Sequence, residues 1–211
     1  MEADNPDLST AFAEQIERHR FPPGYRKVFL AAIEAFAERG FHATSTRDIA
    51  ARAGMSPAAL YVHFQSKEDV LYRIAVSALE LTRDMVLATT EGIDGPTGRL
   101  RATVRALTTW HAVHHAAATV VLHELAALTP DHRAEVLRLR RSVDRLVSGP
   151  IAAGVRAGEF AVADVGAATL AVLSLCVDTA RWYRPGQRRS AREIAESHAE
   201  TALRIVGAAV R

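Results

Sequence analysis

Between Thr44 and Leu71 the chain reads TSTRDIAARAGMSPAALYVHFQSKEDVL, and no other stretch restricts the fold as much. Two segments of about eight residues with helical apolar spacing flank Ala53-Gly54-Met55-Ser56, a short glycine-bearing turn of the kind that sets two helices at a large angle. Thr44 to Thr46 can cap the first, over about Thr46 to Ala53; Ser56 can cap the second, which begins at Pro57 and runs through about Phe64. Ser66 can cap a long third helix with Lys67, Glu68 and Asp69 in its first turn. Ile49 and Ala50 can meet Met55, Leu60 and Phe64 beyond the turn, and Ala53 and Gly54 are small enough for the backbones to cross closely. Thr46, Arg47, Ser56, Pro57, Ala58, Tyr61, His63 and Lys67 are left facing outward. Their hydroxyls, rings and cations are the groups that position phosphate.

The rest of the chain is helical in pattern. No segment alternates with period two, whereas apolar residues at three- and four-residue spacing recur throughout, so the fold class expected is all-α. Pro22-Pro23-Gly24, Gly40, Gly54, Gly92 to Pro96, Thr129-Pro130, Gly158 and Pro185-Gly186 punctuate it. A helix over about Tyr25 to Arg39 should bury Val28, Phe29, Ala32, Ile33 and Phe36 and stop at Gly40. Leu8, Phe12 and Ile16 fit a short N-terminal helix or arm within residues 1–20. A small three-helix domain over 21–70, joined through a long helix to a larger domain over 71–211, is the economical division.

Composition narrows the function classes. The 211 residues are 49% apolar and 24% charged, near the average for a soluble globular protein. The least charged stretch, AVADVGAATLAVLSLCVDTA, still carries aspartates, so no uninterrupted apolar run of about 20 residues is expected to span a bilayer. The acidic start MEADNPDLSTAFAEQ does not have the form of a secretory signal. One cysteine, Cys176, excludes an internal disulfide framework and points to a reducing cytoplasm. The net charge of +2 is uninformative, but between Arg18 and Leu71 eight Lys/Arg stand against five Asp/Glu. That local excess favours phosphate.

Residues 44–71 resemble, nearly throughout, the DNA-binding domain of the TetR family of bacterial repressors, whose signature pairs TxRDIAxxAGxS with LYxHFxxKExL. The resemblance implies that Pro57 to Phe64 is a recognition helix, that Tyr61, His63 and Lys67 hold the phosphate backbone, and that Thr46 and Arg47 reach phosphate or a base. Pro57, Ala58 and Ala59 cannot make bidentate hydrogen bonds to bases. Readout would then rest on Arg47, Ser56, thymine-methyl contacts from Pro57 and Ala58, and DNA shape. One such domain reads one half-site of double-stranded operator DNA, so a homodimer is expected. Asp164 to Tyr183 is apolar on nearly every side, and Ser190 to Val210 carries Ile194, Ala195, His198, Ala202, Ile205, Val206 and Ala209 along one side. Two such helices per subunit would form an isologous four-helix interface.

The string CVDTARWYRPGQ adds a second resemblance. RWYRPG is similar to the end of the penultimate helix in a subgroup of TetR-like regulators that sense fatty acyl-CoA or steroid-derived CoA thioesters, and LTPDHRAEVLRLRRSVDRLV resembles their long middle helix. It implies a small-molecule effector such as an acyl-CoA, which needs cations for its phosphates and an apolar tunnel for its chain. Trp110, His111, His115, Arg181 and Trp182 are the candidate ligand residues, with Arg184, Arg138 and Arg141 as further cations. Leu173 and Val177 favour a fatty chain over a polar sterol head. Arg181 and Arg184 also suit a helix C-terminus on their own account.

Two alternatives stand beside this one. The same regulator could carry a broad apolar drug or metabolite pocket. From another class, His111 and His115 at i, i+4 could serve a metal-dependent enzyme. HELAAL lacks the second histidine of a zincin, and there is no nucleophile–base pair or glycine-rich phosphate loop, so neither an enzyme nor a cofactor or metal is expected. The expectation is a cytoplasmic, homodimeric repressor of TetR type in which effector and operator oppose each other, the long helix from Lys67 acting as lever.

Overall fold

The computed structural model describes residues 22–208, and among them every regular element is helical. The expected arm with Leu8, Phe12 and Ile16, and Ala209 at the other end, lie outside the described residues. Helices α1 (Pro23–Ala43), α2 (Thr46–Arg52), α3 (Pro57–Tyr61), α4 (Lys67–Thr90) and α5 (Pro96–Val113) are followed by α6 (His115–His123) and a 3₁₀ turn (Leu125–Ala127). Then come α7 (Pro130–Arg156), α8 (Val165–Val177), α9 (Thr179–Trp182) and α10 (Ala191–Ile205).

The described residues group into two compact units, one ending at Ala78 but including Ala116–Leu137, the other comprising Leu79–His115 and the chain from Arg138. Residues of α4 and α7 belong to both. In the first unit α1 buries Val28, Phe29, Ala32, Ile33 and Phe36, the stripe read from the sequence. It runs past Arg39 to Ala43 across a kink at Gly40, whose φ of +79° suits only glycine without strain. Thr44 secures the kink by donating from Oγ1 to the carbonyls of Ala35 (3.2 Å) and Gly40 (2.8 Å). Phe64, Leu60, Ile49, Leu71 and Ile74 complete this core. Tyr25 lies against it, its ring centroid 4.4 Å from that of Phe64.

The segment Ala116–Leu137 packs with these helices, whereas the sequence reading assigned everything beyond residue 70 to the other domain. Local bonds explain the grouping. The Glu68 carboxylate accepts the Thr129 N–H at 2.9 Å and lies 2.9 Å from His132 Nδ1. The His132 ring stacks on Tyr72 at 3.8 Å.

The second unit is built on α5 and α10, which bury Leu100, Val104 and Leu107 against Ala199, Ala202 and Leu203, with Val147, Ile151, Val172 and Cys176 closing the core. Ion pairs Arg101–Glu200 and Arg105–Glu196 run along the edge of the α5–α10 contact. On α8, Ala168, Val172 and Cys176 face inward, while Ala167, Leu170, Ala171 and Ser174 form an exposed stripe, Leu170 at 67% exposure. The 18 residues Val165–Trp182 are long and apolar enough by composition to cross a membrane, yet the helix is interrupted at Asp178. Its apolar character divides between a core side and that exposed stripe.

Candidate nucleic-acid interface and effector region

Local chemistry sets the two short helices. Ser45 and Asp48 form a reciprocal capping box at the start of α2. The turn is closed by Met55 N–H on the Ala50 carbonyl at 2.9 Å, with Gly54 at φ +65°. Ser56 then caps α3, accepting the Ala59 N–H at 3.2 Å, and Pro57 occupies the first turn. The helix ends at Tyr61, short of the expected Phe64. Val62 still has right-handed helical angles and the Phe64 N–H reaches the Leu60 carbonyl at 3.1 Å, so one further turn carries Phe64 into the core beside Leu60.

Thr46, Arg47, Ser56, Pro57, Ala58 and Tyr61 come together on the outer surface of α2 and α3. Thr46 Oγ1 and the Tyr61 hydroxyl share a hydrogen bond at 3.3 Å, joining the start of one helix to the end of the other. Arg47 is exposed and forms no ion pair among the described residues. Arg52, by contrast, is held by Glu34 and Glu38 on α1. Val62, 78% exposed beside Tyr61, joins this surface although sequence reasoning passed over it. Its only signal was its place one residue after the tyrosine.

His63 and Lys67 are placed differently. The His63 ring lies over Gly24, where an added Cβ would fall 2.4 Å from Nε2, and meets Tyr25 edge-on at 6.4 Å. Lys67 turns inward. Its ammonium donates to the carbonyls of Phe41 and Thr44, each at 2.8 Å, and stands 4.1 Å from the Phe41 ring centroid. Those bonds tie the first turn of α4 to the end of α1 and the approach to α2.

In the second unit the candidate ligand residues form two groups. Trp110 is buried, with its ring 4.1 Å from that of His114. His111 Nδ1 bonds the Leu107 carbonyl at 2.7 Å. Burial pushes His111 and His114 down to about 4. His115 is also lowered, by burial first and then by the Arg184 charge, and its Nδ1 is buried without a hydrogen-bond partner among the described residues. No group of three potential metal ligands occurs among the described residues.

Arg181 is exposed and paired with Asp178 one turn back, at 2.7 Å. Trp182 instead lines a cavity of about 280 Å³ with Arg188, Arg189, Ile194 and His198. Arg188 and Arg189 were missed in the sequence because no short motif singles them out, and His198 was read there as a residue of the subunit interface. Tyr183, next to Trp182, is buried on Ala112 and Ile194.

Comparison with known proteins bears on both regions. A family model described as "Bacterial regulatory proteins, tetR family" matches residues 29–74, and one described as "Tetracyclin repressor-like, C-terminal domain" matches residues 94–206. The chain is 34% identical over 165 residues to the HTH-type transcriptional repressor KstR2 of Rhodococcus jostii (strain RHA1), covering 74% of this chain and 77% of that protein. A bacterial regulatory protein in the tetR family from Rhodococcus RHA1 superposes with a TM-score of 0.85 at 38% identity, over 90% of this chain and 100% of that one. AibR, solved in complex with isovaleryl coenzyme A and operator DNA, superposes with a TM-score of 0.78 at 26% identity, over 84% and 97%.

Proposed function

The chain belongs to the TetR family of bacterial transcriptional regulators, a family of DNA-binding proteins rather than enzymes, and we propose that this member is an effector-released repressor. The observation that carries the reading is the outer surface of α2 and α3. There Arg47 stands without an ion pair among the described residues, Thr46 and Tyr61 hold each other's hydroxyls, and Pro57 and Ala58 present small apolar faces. Arg47, Thr46, Ser56 and Tyr61 contact the operator directly, with Pro57 and Ala58 against thymine methyls. His63 and Lys67 act by positioning: one seats the end of α3 on α1, the other fastens α4 to the end of α1 and the approach to α2. Repression is supported by the likeness to KstR2, which is named a repressor.

The partners are double-stranded operator DNA, a second copy of the chain and a small effector. The exposed stripe Ala167, Leu170, Ala171 and Ser174 on α8 suits the homodimer contact, and Ile205 of α10 is a further exposed apolar side chain. An acyl-CoA is the effector class favoured by AibR, whose complex holds isovaleryl coenzyme A as well as operator DNA. Effector and operator oppose each other through a coupling energy of about 1–3 kcal/mol.

The test is fluorescence anisotropy on labelled DNA from upstream of the protein's own gene, titrated with acyl-CoAs of increasing chain length and with free CoA. Binding that acyl esters reverse and CoA does not is the expected result. Operator affinity indifferent to every acyl ester would sink the effector assignment, and no binding to that DNA at any salt concentration would count against self-repression.

A further inference from the structure

Among the described residues the most exposed large apolar side chain belongs to the reading surface: Val62 stands 78% exposed, against 67% for Leu170 and 53% for Tyr61. The backbone holds it there. Its φ of −66° and ψ of −28° are helical, so Val62 continues the spiral of α3 and lies one turn beyond Ala58, as Tyr61 lies one turn beyond Pro57. Between Pro57 and Phe64 the exposed positions are Pro57, Ala58, Tyr61 and Val62, whereas Leu60 and Phe64 are buried in the core. The end of the helix is anchored twice, by the Phe64 N–H on the Leu60 carbonyl at 3.1 Å and by the bond between the Tyr61 hydroxyl and Thr46. Valine branches at Cβ and keeps essentially one χ1 well on a helix. Its two methyl groups are therefore presented in a fixed direction, with little freedom left to lose on contact.

A side chain this exposed adds nothing to the core of its own unit. The hydroxyls of Thr46 and Tyr61 and the guanidinium of Arg47 on the same surface suit phosphate, and a valine does not. In the DNA major groove the base edges offer hydrogen-bond donors and acceptors and a single apolar group, the C5-methyl of thymine. We propose that Val62 is a specificity residue that packs on a thymine methyl of the half-site. Four residues of helix rise about 6 Å and successive base pairs about 3.4 Å, so Ala58 and Val62 reach thymines about two base pairs apart where the helix axis follows the groove. A recognition helix without bidentate side chains thereby gains a two-point apolar readout. The proposal rests on the operator-binding reading above and deepens it from where DNA is held to which base is selected.

Deoxyuridine supplies the test, because it pairs as thymine does and lacks only the methyl. An operator is selected from random duplexes by the full-length wild-type protein, and each thymine of one half-site is then replaced in turn. At one position the wild type should bind about three- to fourfold more weakly, the worth of one buried methyl. In Val62→Ala that loss should vanish, and in Arg47→Ala it should persist in full. Val62→Thr, which keeps the shape and exchanges one methyl for a hydroxyl, should show a smaller loss than the wild type. Val62→Ala places the strongest helix former at an exposed position, so its fold is not at risk. A Val62→Ala protein that still loses affinity at every thymine where the wild type does would overturn the assignment. So would one that binds every duplex more weakly by a common factor, the mark of a contact to sugar or phosphate. Neither result touches the operator-binding reading, whereas a wild type that selects no sequence would overturn both.

Discussion

Arg47 on α2 and Lys67 on α4 carry the same charge and should fail in different ways. Arg47→Ala removes the phosphate or base contact proposed for it, so operator affinity should fall about tenfold and the slope of log affinity against log salt should flatten by about 0.9. Lys67→Met removes the donor to Phe41 and Thr44. It should leave the salt slope unchanged and cost about 1–3 kcal/mol of stability, read as a lower Tm. A flattened slope in Lys67→Met would return that lysine to the DNA. The buried histidines make a separate prediction. In the unfolded chain an imidazole titrates near 6.5, whereas His111 and His114 stay neutral in the fold down to about 4. Protons therefore favour the unfolded state: the stability contributed is complete above about pH 6.5 and is lost as pH falls toward 4. The slope is about 1.4 kcal/mol per ring per pH unit within that window. Chemical denaturation from pH 7 to 4.5 should show it, and His111→Gln should lessen it.

At the level of elements, Gly154 on α7 is where Phe160 packs; an alanine Cβ there would fall 2.1 Å from the ring. Gly154→Ala should cost about 1–3 kcal/mol through overpacking, whereas Gly149→Ala, with nothing within 4 Å of the added methyl, should not destabilise; urea unfolding of both separates the two. Which elements form was legible because caps and turns are local: Ser45, Ser56 and Ser66 accept the backbone N–H groups their spacing promised. Where α3 ends was less so: the regular helix closes at Tyr61, and a last turn held by the Phe64 N–H on the Leu60 carbonyl carries the chain on to Phe64. The inward turn of Lys67 was hidden because its acceptors lie 26 and 23 residues earlier. On the outer face of α2 and α3 the motif told more, because those residues need only share one short turn. The cavities of the second unit are lined by residues far apart in sequence, such as Leu87 with Pro150 and Trp182 with His198, so RWYRPG could mark a neighbourhood without its partners.

At the level of the whole molecule, Leu170→Glu puts a charge in the exposed apolar stripe of α8 without touching the core. It should shift the homodimer to monomer at micromolar concentration in sedimentation and lower operator affinity more than tenfold, since each subunit offers one recognition helix. A variant that remains dimeric would place the contact elsewhere. The bond from Glu68 to Thr129 and His132 spans 61 and 64 residues of chain, and this has a consequence in time. A polypeptide made from its N-terminus at about 5–20 residues per second exposes Glu68 for several seconds before its partners emerge. The helix-turn-helix can therefore collapse early but is fastened late, once α7 has begun. A ribosome stalled between these points holds a protein that has its reading surface but lacks the latch on α4, and a chain released there would be a regulator without its restraint.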